Sequence, residues 1–128
     1  MKSSLLIFLA LNAALFLLPA AARGHHGWAA FVSDSQLTLK GTVKDFHFVS
    51  PHSVVEFEVK DDKGKVLVWE GEMTSPSGLA PRGWTAASLQ PGDKITITGY
   101  PAIKGTHAMR VTKIVLADGK ELKLGGGN

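Results

Sequence analysis

The sequence predicts a mostly β protein: a small OB-like barrel of five to six strands, with a short helical connection between strands three and four. Three observations predict it. Apolar and polar residues alternate with period two through most of the chain after residue 36. Gly, Pro and Asp punctuate that alternation. One stretch, Thr74 to Leu89, loses it between the third and fourth alternating runs.

The elements follow in order. Leu37, Leu39, Gly41 and Val43 alternate with Thr38, Lys40, Thr42 and Lys44, the pattern of a half-buried strand. Past Asp45 the apolar phase moves to Phe46 and Phe48, which predicts a β-bulge that bends the strand before Ser50-Pro51 ends it. In the second strand Val55, Phe57 and Val59 face one way and Glu56, Glu58 and Lys60 the other. Asp61-Asp62-Lys63-Gly64 reads as a hairpin turn with Gly64 left-handed. Val66 to Met73 returns as strand three, with Leu67, Trp69, Gly71 and Met73 on one face. Between Ser75 and Gly83, Pro and Gly mark loops and short helical turns, and Thr85 reads as the cap of a brief turn over Ala86 to Leu89. Gln90 to Asp93 is a turn, Ile95 and Ile97 belong to strand four, and His107 to Leu116 is strand five. After Asp118-Gly119 comes a short final strand, Lys120 to Leu124, and a glycine tail. Three strands, a helical connection and two more strands is the order of an OB-type barrel, whose bent first strand joins both sheets. A small β-sandwich competes, and strand counting does not separate the two.

The start of the chain has a different character. Lys2 precedes an apolar run from Leu5 to Leu18, then Pro19 and Ala20-Ala21-Ala22. A charged start, a short apolar centre and a small-residue cut site predict a secretory signal peptide. The apolar run is shorter than the ~20 residues that span a bilayer comfortably, so no membrane anchor is expected after cleavage. The expected organisation is a leader over 1–22 and a single barrel domain over 23–128 with flexible termini, and the expected location is periplasmic or secreted.

Cysteine is absent, which removes disulfides and thiolate metal sites from consideration. The formal charge of +3 drops once Lys2 leaves, with 13 basic against 11 acidic residues remaining. The charges alternate along strands, without the basic run that nucleic acid would call for, so nucleic acid is not an expected partner. There is no Gly-x-Ser-x-Gly elbow, no phosphate-cradling glycine loop and no His-Glu-x-x-His, and the chain is read as non-enzymatic. Trp28, Trp69 and Trp84 read as packing residues rather than a sugar platform.

Histidine carries the chemical signal. The five are His25, His26, His47, His52 and His107. Cleavage after Ala22 would free the amine of Arg23 with His25 third in line. The amine, two backbone nitrogens and the His25 imidazole then reach a square plane, the geometry that suits copper(II) or nickel(II). Cleavage after Gly24 would instead leave amine and imidazole on His25 itself. A solvated arm, or one that packs Trp28 onto the barrel, is the competing reading of the same residues. His52 opens strand two beside Phe46 and Phe48 and reads as a hydrogen-bonded loop histidine or a ligand. His47 alternates away from Phe46 and Phe48, toward solvent. His107 follows Gly105 and would close on the same barrel end as His52. Glu70 and Glu72 share one strand face, to add oxygen ligands or to pair with Lys and Arg.

His25-His26-Gly27-Trp28 behind a leader resembles the opening of a family of small exported bacterial proteins of unknown function. Gly41-Thr42-Val43, Pro51-His52, Trp69-Glu70, Gly83-Trp84-Thr85, Pro91-Gly92-Asp93 and Asp118-Gly119 extend the resemblance, in the family's order, over nearly all of the chain after the leader. The family's opening is typically His-His-Ser-Phe, and its segment before Pro-His carries Trp and Asn; here Gly27-Trp28 and Phe48-Val49-Ser50 stand instead. The resemblance implies export and a small β-barrel and brings no activity. His25, His26, His52, Trp69 and Trp84 fall on its motif positions. The expected function is therefore binding of a divalent metal ion, with copper(II) as cofactor and His25, His26, His52 and His107 as candidate ligands. The alternative is a metal-independent binding module for a protein or envelope partner.

Overall fold

A computed structural model describes residues 34–103 and 105–125. The leader, the histidine pair His25-His26 and the last glycines lie outside the described residues. The elements are β1 (Leu37–His47), β2 (Val54–Lys60), β3 (Val66–Glu72), α1 (Pro76–Leu79) with a 3-10 turn over Ala80–Arg82, β4 (Lys94–Pro101), β5 (Ala108–Leu116) and β6 (Glu121–Leu122). The strand order is β3-β2-β1-β4-β5-β6, and parallel pairing of Glu70–Glu72 in β3 with Ala108–Arg110 in β5 closes five strands into a barrel. The barrel is the OB-type arrangement that the element order predicts, and closure decides against the sandwich.

β1 is the strand that makes closure work. Leu37 to Thr42 pair with β4, and Thr42 to His47 pair with β2, so Thr42 is shared by both neighbours. The predicted bulge lies between Val43 and Asp45, where the register against β2 shifts by one residue. That shift turns Phe46 toward the interior while Lys44 and Asp45 stay exposed. A second register shift, between Thr98 and Gly99 of β4, is not announced by any phase change in the sequence.

Burial follows the predicted faces. Val55, Phe57, Ile97, Met109 and Ile114 are completely buried, and Val43, Ile95 and Val111 join them from β1, β4 and β5. Val59 and Trp69 are only partly buried and pack on the rim of this core, and Leu67 is partly buried as well. Met73, Leu79, Trp84 and Leu89 form its remaining part, from the connection between β3 and β4.

The helical connection lies in the stretch from Ser75 to Gly83, where Pro and Gly mark short helical turns. Pro76 occupies the first turn of α1, where a missing backbone N–H costs nothing, and the left-handed Gly83 ends the 3-10 turn. Thr85 heads the brief turn expected over Ala86 to Leu89, with Ser88 N donating to its carbonyl at 3.0 Å and Ala87 N to its hydroxyl at 3.2 Å. Trp84 is 3 % exposed, and its indole N–H donates to the Lys123 carbonyl at 2.8 Å, which ties the C-terminal segment to the barrel. Gly64 has φ 78°, as its turn position requires.

Candidate functional site

Outward-facing positions of β1, β2 and β3 carry one group of polar side chains. Register places Asp45 opposite Glu56 and Glu56 opposite Glu70, so three carboxylates run across the wall. Like charges directly opposite one another repel. Lys44 and His47 offset this: the Lys44 ammonium lies 3.3 Å from Glu56 Oε2, and His47 Nε2 donates to Glu56 Oε1 at 3.3 Å, with Asp45 Oδ2 at 3.6 Å. The His47 hydrogen bond first, and that of Lys44 second, hold the Glu56 carboxyl below its ordinary value.

The next row contains His52 and Glu72. β2 begins two residues after His52, and Val54 pairs with Glu72 at the end of β3. His52 Nδ1 and Glu72 Oε1 are 2.5 Å apart, an ion pair when the imidazole is protonated. Glu72 faces Arg110 across the parallel pairing, and Arg110 faces Tyr100 on β4.

His107 is placed differently. It just precedes β5, its carbonyl accepts from Glu70 N at 2.9 Å, and its ring lies on Trp69 with centroids 5.2 Å apart. Trp69 belongs to the inward face with Gly71 and Phe57, whereas Glu72 belongs to the outward face. His52 and His107 therefore approach the same half of β3 from opposite faces. His47, 44 % exposed at its side chain, faces outward as its phase predicts. Among the described residues no group of three or more His, Asp or Glu side chains is arranged to hold a metal ion.

A second feature emerges only on folding. Lys40 of β1, Lys60 of β2 and Lys94 of β4 rim an open groove of about 560 Å³, together with Thr42 and Glu58. It forms where β1 passes from β4 to β2. Lys94 Nζ donates to Thr42 Oγ1 at 2.7 Å, which orients that ammonium. Lys44 and Lys113 each have a carboxylate within 3.3 Å, but among the described residues none of the three groove lysines forms an ion pair. The sequence shows these lysines as isolated members of alternating strands. Their convergence depends on which strands become neighbours, and residues 40, 60 and 94 are too far apart in sequence for any spacing rule to join them.

The model of a family of unknown function, DUF6152, matches residues 14–110. The chain belongs to this family. The DUF6152 match spans more than half the chain and includes all five histidines, the groove lysines and the strands β1 to β4. No curated protein matches the chain.

Proposed function

We propose that this member of DUF6152 is an exported, non-enzymatic binding module that holds an anionic envelope component in the groove between β1, β2 and β4. The observation that carries the reading is the groove itself: three lysines from three strands, unpaired among the described residues, against a single Glu58. Ammonium groups without local carboxylate partners favour phosphate or carboxylate ligands, and a concave site collects several such contacts at once. The filled barrel interior supports the same conclusion, because its core is built of apolar side chains and the polar chemistry lies outside. Titration with a short polyphosphate, followed by backbone NMR shifts, tests it. Shifts should centre on Lys40, Lys60 and Lys94, weaken with salt, and vanish in Lys40→Glu/Lys60→Glu. Equal loss in Lys113→Glu, on another strand, would reduce the effect to general charge attraction.

The histidine opening favours a second reading, copper(II) binding at the processed N-terminus. The described histidines engage carboxylates or Trp69, so a copper site would rest on the Arg23 amine, His25 and the backbone nitrogens between them. Calorimetry on processed protein separates the readings: His25→Ala should lose copper binding and His47→Ala should keep it. Unchanged affinity in His25→Ala would remove the N-terminal site.

A further inference from the structure

We propose, resting on the anion-groove reading, that the groove's ligand is an anionic lipid at a bilayer surface. A lipid phosphate lies among Lys40, Lys60 and Lys94, and Val66 and Val68 rest on the headgroup layer beside it. Strand register gives the first argument. Lys94 is opposite Thr42, Thr42 opposite Glu58, and Glu58 opposite Val68. In the neighbouring row Val115 is opposite Thr96, Thr96 opposite Lys40, and Lys60 opposite Val66. Residues directly opposite one another project from the same face of a sheet. The groove lysines and the two β3 valines therefore share the outward face, with Val66 beside Lys60.

Exposure gives the second argument. Val66 is 47 % and Val68 41 % exposed, on a face where an antiparallel wall turned only to water carries polar side chains. The three groove lysines are exposed as well. Across the groove, Val115 and Ala117 of the β5 end add apolar surface to its lining. A free phosphate or short polyanion gains nothing from these apolar side chains. A lipid does, because cationic side chains meet its phosphate while apolar ones enter the boundary between headgroups and acyl chains.

Charge and composition name the occupant. Three ammonium groups in the groove face one carboxylate, that of Glu58. Glu56 and Glu70, opposite one another, lie one row beyond Glu58 on the side away from Lys60. A bilayer that meets Lys60 and Val66 thus approaches the basic end of the wall. A protein partner is the competing occupant. Protein contact surfaces are enriched in aromatic residues, Met and Arg and are poor in Lys. Among the described residues that line the groove, and in the valine pair beside it, there is no aromatic residue, Met or Arg. Lysine ammonium groups on flexible stems suit mobile lipid phosphates, which impose no fixed hydrogen-bond geometry.

Flotation of the processed protein with vesicles tests the proposal. Vesicles of equal parts phosphatidylglycerol and phosphatidylcholine should carry the protein, and pure phosphatidylcholine should leave it in solution. Lys40→Glu/Lys60→Glu should lower partitioning by about tenfold or more, since two cations become two anions. Val66→Thr/Val68→Thr keeps β-branched side chains and should keep the circular dichroism spectrum. It should weaken vesicle binding by about threefold or more and leave the shifts caused by short polyphosphate unchanged. Polyphosphate shifts without vesicle binding would overturn the lipid assignment and leave the anion groove standing; absence of both would overturn the two together. Vesicle binding that neither pair of substitutions weakens, or that the valine pair leaves unchanged, would also overturn the assignment. So would tighter binding of a glutamate-rich peptide at matched charge, which would make an acidic protein segment the occupant.

Discussion

Phe57→Ala is the sharpest test of the packing. Phe57 is completely buried, sits between Val43 of β1 and Trp69 of β3 in register, and has its ring centroid 6.5 Å from that of Trp69. Burying such a side chain is worth roughly 1.5–3 kcal/mol in transfer terms. The space its ring leaves adds a cavity cost, and Phe→Ala changes in cores total about 3–5 kcal/mol. A domain of this size has about 5–15 kcal/mol of stability altogether. Each kcal/mol moves the midpoint of a 60–100-residue domain by roughly 4–8 °C, so the variant should melt at least about 12 °C below the parent. Thermal and urea unfolding followed by circular dichroism measure this directly. Glu58→Ala, next in sequence but exposed on the opposite face, should change stability by less than about 0.5 kcal/mol. If Phe57→Ala melted within two degrees of the parent, or if Glu58→Ala were the damaging change, the inward face of β2 would be wrongly assigned.

Three further outcomes follow from particular contacts. Gly71→Ala should destabilise by about 1–3 kcal/mol, since an added Cβ would lie 2.8 Å from Val111 and 2.9 Å from Val55 in a filled core; urea midpoints of the two proteins decide it. Ser53→Ala should stabilise by about 1 kcal/mol in the same assay, because the Ser53 hydroxyl is buried with no hydrogen-bond partner among the described residues; a loss of stability would show that the hydroxyl is satisfied in solution. Glu56 has a lowered folded-state pKa, so its contribution is present above its ordinary value of 4.5 and is lost as pH falls through the lowered one. Glu56→Gln should therefore flatten the acid limb of a stability–pH curve, and an unchanged slope below pH 4.5 would remove Glu56 from that account.

How much of this was legible in the sequence depended on distance along the chain. Strand faces were readable because period two is local: Val55 and Phe57 are buried and Glu58 is exposed, as their alternation requires. The bulge in β1 was readable because it moves the apolar phase from Val43 to Phe46 within a few residues. The shift at Thr98/Gly99 was not, since Gly99 has no side chain to mark its face. The helical connection was readable because Pro and Gly between Ser75 and Gly83 mark short turns, and Pro76 and Gly83 stand at its beginning and end. The candidate sites were least legible. His52 meets Glu72 through the β2–β3 register, His107 meets Trp69 through barrel closure, and the groove lysines meet through three strands. Each contact needs the fold before it exists.

The same geometry separates stability from binding in this barrel. Strand residues that hold the fold point inward, and the groove lysines, the Glu56 cluster and the β3 valines point outward from those same strands. A side chain on the outer face leaves the packing behind it untouched when it is changed, so Lys40→Glu, Lys60→Glu and Val68→Thr should each retain the cooperative unfolding of the parent. Substitutions one residue away, at Val59 or Trp69, fall on the core face and would confound binding with folding. Period-two alternation, which made the strands readable, thus also fixes which substitutions report on function. Charge reversal is the informative change at the groove, because lysine truncated to alanine removes one ammonium, whereas glutamate also places a repelling carboxylate beside Glu58. Loss of polyanion binding in the reversed variants, with unfolding unchanged, is the combination that a binding groove predicts and that a destabilised barrel does not.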